Sequence, residues 1–137
     1  RAVLIGLRQG VKEGISVKIE SLEVANTGIQ AYQYGQGFAR IGNNTFVGTQ
    51  NGGVFSSINN GKNWTQVNTG LTETWLRSMA SNGSTLYAGA NRGGGVFISA
   101  NLGTSWTASN TGMNANHIWA ITESGTNLIA GSRKGVQ

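Results

Sequence analysis

Apolar and polar residues alternate in short segments along this chain, and the segments recur in a fixed order. Between residues 76 and 108, four such segments occupy positions 76–80, 84–90, 95–99 and 105–108. Gly, Asn and Ser cluster between the segments, and this pattern is typical of short strands joined by tight turns. The pattern therefore predicts an all-β chain with strands of only a few residues.

The segments belong to a repeat of about 42 residues, the kind of period that indicates a repeat architecture. Asn-Thr-Gly occurs at 26–28, 68–70 and 110–112, and Trp64 and Trp106 are also 42 residues apart. A strand that ends in glycine recurs at Gly48, Gly89 and Gly131. We divide the chain into a degenerate repeat at 1–38, full repeats at 39–80 and 81–122, and a partial repeat at 123–137.

Four strands in about 42 residues is the size of one β-propeller blade. The sequence therefore predicts blades of four antiparallel strands, with about three blades and an overlapping strand. A β-solenoid is the alternative architecture, although solenoid repeats are usually shorter.

Two predicted turns carry the same motif, Ser-x-Asn-x-Gly-x-x-Trp. Its residues are Ser57, Asn59, Gly61 and Trp64 in one turn and Ser99, Asn101, Gly103 and Trp106 in the other. Both turns resemble the Asp box, Ser-x-Asp-x-Gly-x-x-Trp, of the sialidase-type (BNR) propeller family, with Asn in place of Asp. The resemblance implies a structural role for these eight residues: the polar side chain bonds to the turn backbone, Gly takes a positive φ, and Trp packs between sheets.

The resemblance implies a β-propeller without choosing one function. Its members include sialidases, xyloglucan hydrolases, sortilin-type receptors, photosystem assembly factors and secreted proteins of unknown role. It favours a secreted or cell-surface location, although the sequence itself leaves the compartment open.

Propellers typically have 4–8 blades. A little over three repeats therefore predicts partner blades, from copies of the chain (two chains making six blades is the simplest case) or from a longer propeller. Because residue 1 is Arg and no signal peptide is visible, we expect a processed, excised or incompletely observed chain.

One face of the predicted blades gathers the candidate binding residues. Because blade strands alternate in direction, the turns between second and third strands share a face with the connections between repeats; we call this the loop face. The motif turns lie on the opposite face. The candidate ligand-binding residues on the loop face are Arg8, Tyr32, Trp75, Asn91, Arg92, His117 and Arg133. Bases, amides and aromatics together suit a glycan or an acidic protein surface, although repeated arginine at turns is equally typical of solvated surface.

Charge and composition limit the chemistry of this face. The chain has 10 basic and 5 acidic residues, one histidine, no cysteine and no aspartate. A sialidase mechanism needs acidic partners for its arginines and tyrosine, and a glycoside hydrolase needs two carboxylates across the scissile bond. Glu73 and Glu123 are the only acids in the well-matched repeats, and they occupy non-equivalent positions of the repeat. His117 without an aspartate supplies neither a catalytic triad nor a metal site. We therefore predict no enzyme activity, no cofactor and no metal.

Other features of the sequence exclude further classes of protein. No apolar run reaches the 18 or so residues of a membrane span, and no nucleic-acid-recognition motif is present. We expect Met79 and Trp119 to be core residues of innermost strands. The sequence thus predicts a non-catalytic binding or scaffold propeller module that recognises a glycan or a protein partner through the loop face. The alternatives are a fragment of an Asp-box glycoside hydrolase and a self-assembling structural protein.

Overall fold

The structure, a computed structural model, describes residues 28–29, 35–111, 113, 117–132 and 135–136, the last two by their backbone alone. Three candidate binding residues, Arg8, Tyr32 and Arg133, lie outside the described residues. So does most of the degenerate first repeat, and the division of the chain into repeats stays a prediction.

The described residues form three antiparallel sheets in which consecutive strands are neighbours. The first sheet contains β1 (Gly35–Ile41), β2 (Asn44–Thr49), β3 (Val54–Ser57) and β4 (Thr65–Gln66). The second contains β5 (Leu76–Asn82), β6 (Thr85–Ala90), β7 (Gly95–Ser99) and β8 (Thr107–Ala108). The third contains β9 (Ile118–Ser124), β10 (Asn127–Ser132) and β11 (Gly135–Val136). No helix occurs among these residues, so the all-β prediction with four-stranded antiparallel sheets is confirmed.

The second sheet is covered on both faces, because successive side chains of a strand point to opposite faces. On β6 and β7, Leu86 and Phe97 face the first sheet and belong to a core cluster with Phe46. Val96 faces the other way and belongs to a cluster with Ile118 of the third sheet. The near-continuous apolar runs of these strands are therefore explained by packing on two sides.

In the first two sheets, the recurring glycine near the end of the second strand allows the next sheet to approach. A Cβ on Gly89 would lie 2.7 Å from Ile118 Cγ2 and 2.3 Å from Ser78 Oγ. A Cβ on Gly48 would lie 3.0 Å from Met79 Cγ. The first strands β1, β5 and β9 consequently contact one another in succession, and the sheets converge at this edge.

In the Asn-Thr-Gly motifs at 68–70 and 110–112, the Asn fixes the turn that leads into the third strand of its own sheet. Asn68 Oδ1 accepts a hydrogen bond from Val54 N at 2.8 Å, and Asn68 Nδ2 donates one to Gly52 O at 2.8 Å. Asn110 repeats both bonds with Val96 N and Gly94 O. An amide is required because the position uses one acceptor and one donor.

The motif at 68–70, together with Val67 just before it, joins the first sheet to Trp106 of the second sheet. Trp106 N donates a hydrogen bond to Thr69 O at 2.8 Å, and Trp106 Nε1 donates one to Val67 O at 2.8 Å. Gly70, with φ of 85°, lies directly against the Trp106 backbone. The motif therefore links the two neighbouring sheets through a backbone hydrogen bond and a close backbone contact.

Both motif turns bond their own backbone in the same way. Ser57 Oγ accepts from Gly61 N at 2.9 Å, and Asn59 Oδ1 accepts from Asn63 N at 3.0 Å. Ser99 and Asn101 make the corresponding bonds to Gly103 N and Ser105 N, each at 2.9 Å. The two motif glycines have φ of 86° and 82°, and both motif tryptophans are buried. Membership of these turns in the Asp-box family stays a prediction.

One core prediction is confirmed and the other is wrong. Met79 is buried on β5, whereas Trp119 on β9 is 51% exposed. Trp119 is exposed because it lies at an irregularity in the β9–β10 pairing. Ile118 and Ala120 pair with Ser132 and Gly131, so Trp119 has no partner residue on β10. Its side chain therefore does not follow the alternation that would direct it into the core.

Candidate functional site

The turn between β6 and β7 meets the segment that leads into β5. Asn91 N donates a hydrogen bond to Trp75 O at 2.8 Å. Trp75 N in turn donates to Glu73 Oε1 at 2.9 Å. Gly94 packs so closely that a Cβ there would lie 2.8 Å from Glu73 Cβ. This segment and this turn are thereby held together on the loop face.

Arg92 is placed over the indole of Trp75 by an unusual backbone conformation. Its φ of 52° is in the left-handed region, which few residues other than Gly, Asn and Asp adopt. The Arg92 Cζ atom lies 4.0 Å from the centre of the Trp75 ring, a cation–π geometry. The side chain is exposed. A cation–π contact uses the charge of the guanidinium and leaves N–H groups that can donate to a ligand.

His117 extends this cluster to the third sheet. His117 Nδ1 lies 3.1 Å from Asn91 Oδ1, within hydrogen-bond distance. The residue immediately precedes β9 and is half-buried. Asn91 therefore joins the two sheets, with its backbone bonded to Trp75 and its side chain to His117.

The structure brings together the four sequence-predicted site residues that it describes: Trp75, Asn91, Arg92 and His117. From the sequence, Glu73 was considered as one of two possible catalytic carboxylates. Its role is local, because the Glu73 carboxylate caps the Trp75 backbone before β5 begins. The spacing does not signal that role, because the residues that commonly bond the backbone two positions on are Ser, Thr, Asn and Asp.

The described part of the chain limits metal and membrane chemistry. It holds no group of three or more His, Cys, Asp or Glu residues that could bind a metal ion. Within the same residues, no helix has the length and apolarity to span a bilayer.

Structural similarity decides the architecture. No family model and no curated protein matches the chain in sequence. The structure of YCF48 bound to D1 peptide matches with a TM-score of 0.54 and 14% identity, over 87% of this chain and 37% of that one. YCF48 from Cyanidioschyzon merolae matches with a TM-score of 0.55 and 16% identity, over 84% of this chain and 41% of that one. YCF48 is a β-propeller protein.

The three sheets are propeller blades. The chain spans less than half the length of the YCF48 structures that it matches. In a propeller the first strands of the blades line a central channel. Because β1, β5 and β9 are the strands that contact one another, they are the innermost strands here. In a closed propeller the loop face would accordingly be one end of the channel, and the Trp75–Arg92 cluster lies on that face.

Proposed function

We propose that this chain is a non-catalytic binding module that recognises a segment of a partner protein through the loop face. The observation that carries the proposal is the stacking of Arg92 on Trp75, held across two blades by Asn91 and His117. An exposed guanidinium on a fixed ring is a preorganised donor for carboxylates. The residue's left-handed backbone is consistent with function, because such strain concentrates at binding sites.

A peptide suits the site better than a glycan. Sugars commonly need an open aromatic face, but Arg92 covers one face of the Trp75 ring. The free N–H groups of Arg92 instead match the geometry of a carboxylate. The structural similarity to a propeller bound to D1 peptide supports the same choice. A glycan is the alternative ligand, and the experiment below includes it.

The positions of the described carboxylates support a non-catalytic role. Glu73 lies before β5 on the loop face, whereas Glu123 lies near the opposite end of β9. A strand rises about 3.3 Å per residue, so five residues of β9 separate Ile118 from Glu123 by about 16 Å. Paired glycosidase carboxylates stand roughly 5–10 Å apart. The Glu73 carboxylate is also engaged with the Trp75 backbone.

Replacing Arg92 with Asn tests the proposal and keeps the backbone conformation at residue 92. Asn tolerates the left-handed region, so Arg92→Asn removes the guanidinium without adding strain. We expect the wild-type chain to bind a set of acidic peptides on an immobilised array. We expect Arg92→Asn to lower affinity for them by about tenfold, the scale of a charge-assisted hydrogen bond. Trp75→His should also lower affinity, because the guanidinium loses the indole on which it lies.

Lys62→Gln is the matched control, because it removes one exposed charge from a motif turn on the opposite face. Its affinity should equal that of the wild type, and all variants should share one melting temperature. Equal losses in Lys62→Gln and Arg92→Asn would show general charge attraction and refute a specific site. If the chain binds an array of neutral oligosaccharides but no peptide, the loop face is a glycan-binding site and not a peptide-binding site.

A second candidate role, self-association between blades, is favoured by the outer face of the third sheet. Leu128 and Ala130 face the second sheet, whereas Ile129 between them is 37% exposed. We propose that a further blade covers this face, and we take a second copy of the chain as its source. Light scattering should then give twice the mass of the chain, and Ile129→Lys should halve that mass. A wild-type monomer would contradict self-association and would direct the search to blades of a longer protein.

A further inference from the structure

The same irregularity interrupts the innermost strand of all three blades. In β1, Gly35 pairs with Thr49 and Gly37 pairs with Gly48, so Gln36 has no partner residue on β2. In β5, Leu76 pairs with Ala90 and Ser78 pairs with Gly89, so Arg77 is the extra residue. Trp119 is the extra residue of β9. Each blade therefore carries a one-residue bulge at the same position of its first strand.

The bulges leave one exposed side chain per blade near the loop face. Gln36, Arg77 and Trp119 are all exposed, although the strands that carry them line the centre of the structure. Bulges commonly re-aim a side chain beside a functional site. Because the strands that carry them are innermost, exposed side chains at this position would face the channel of a closed propeller. The three residues, hereafter the bulge row, therefore lie across successive blades at the channel mouth.

Two members of the bulge row are in contact with each other. The Arg77 Cζ atom lies 5.2 Å from the centre of the Trp119 ring, which links the second and third blades. This contact resembles the Arg92–Trp75 pair in chemistry but involves a separate set of residues. It is a looser contact than that of Arg92, so both the guanidinium and much of the indole remain open to a ligand.

The chemistry of the row differs from blade to blade. It presents an amide at Gln36, a cation at Arg77 and an apolar ring at Trp119. An extended chain crossing the mouth meets these groups one after another. A carboxylate is the group that Arg77 binds best, and a branched apolar side chain is the group that fits beside an exposed indole.

We propose that the bulge row is a second contact site, which selects an extended peptide carrying a carboxylate next to an apolar side chain. The inference rests on the proposed peptide-binding function and assigns specificity to residues other than the Trp75–Arg92 cluster. The cluster binds the peptide at the rim of the loop face. The bulge row contacts two side chains of the peptide, the carboxylate and the apolar one, at the channel mouth.

The repeat supplies substitutions that should preserve the fold. Gln already stands at this bulge in the first blade, so Arg77→Gln and Trp119→Gln each install a residue that the position accepts. The probe is the peptide Gly-Ser-Glu-Leu-Ser-Gly, with versions in which Gln replaces Glu or Ser replaces Leu. Arg40→Gln is the control, because exposed Arg40 lies at the other end of β1.

Titration by calorimetry and by tryptophan emission tests the proposal. We expect Arg77→Gln to weaken binding of the probe about tenfold and to leave binding of the Gln version unchanged. Trp119→Gln should weaken the Glu-Leu probe, leave the Ser version unchanged, and remove the emission change caused by the probe. A purely structural role of the bulge row would not produce this dependence on the peptide.

The outcomes separate this inference from the proposed function. If Arg92→Asn weakens the probe but Arg77→Gln and Trp119→Gln do not, the bulge row is not a contact site and the loop-face proposal stands. If the wild type does not bind the probe, the inference is overturned, and the peptide array decides the proposed function separately. Equal weakening by Arg40→Gln would also overturn it, since the effect would then be one of net charge.

Discussion

Gly70→Ala is expected to lower the free energy of unfolding by more than about 3 kcal/mol. Its φ of 85° is already unfavourable for a side chain, at a cost of roughly 1–2 kcal/mol. The new Cβ would also lie 2.3 Å from Trp106 O, a backbone atom that cannot move without the blade. Relieving that overlap separates Gly70 from Trp106 and weakens the hydrogen bond between Trp106 N and Thr69 O. Urea unfolding with an unchanged slope measures the effect.

Gly83→Ala is the matched control for backbone conformation. Gly83 has a φ of 61°, and a Cβ there would meet nothing within 4 Å. The free energy of unfolding of Gly83→Ala should fall by only about 1–2 kcal/mol, which is the cost of a left-handed conformation for a residue with a side chain. Similar losses for the two variants would show that backbone conformation alone matters, and that the contact between neighbouring blades adds nothing to stability.

Trp106→Ala is the second large effect, and we expect a loss of about 3–5 kcal/mol. The side chain is 4% exposed and belongs to the core cluster between the first and second blades. Its Nε1 also donates to Val67 O, so truncation leaves that carbonyl without its partner. The midpoint of urea unfolding should fall accordingly.

Two further tryptophan variants divide this loss into its parts. Trp106→Phe keeps most of the apolar volume and removes the Nε1 hydrogen bond, so it should cost about 1–3 kcal/mol. Trp119→Ala removes an indole that is 51% exposed and should cost less than about 1 kcal/mol. Comparable losses for Trp106→Ala and Trp119→Ala would contradict the assignment of Trp106 to the contact between blades.

These stability predictions also bear on the proposed function, because the same contacts align the blades. The Trp75–Arg92 cluster includes Asn91 of the second blade and His117 of the third. The bulge row likewise joins two blades, through the contact between Arg77 and Trp119. Both sites therefore need the blades in a fixed relation. A destabilised variant would lose binding indirectly, so the binding experiments compare variants of equal melting temperature.

The sequence by itself determined the all-β class, the four-stranded blades and the positions of most strands. It could do so because these features depend on local alternation, on turn residues and on a repeat that is visible at 42 residues. It also placed Trp75, Asn91, Arg92 and His117 on one face, since that follows from strand direction alone.

Only the tertiary structure decided which of these side chains touch and which are exposed. The Asn-Thr-Gly motif was a spacing marker in the sequence, and its contact with Trp106 appears only when neighbouring blades are in place. Trp119 was predicted to be buried from its type and its strand, yet a bulge exposes it. A bulge depends on how two strands pair, and contacts between blades depend on packing across long sequence separations. Neither is encoded in the local pattern that identifies a strand.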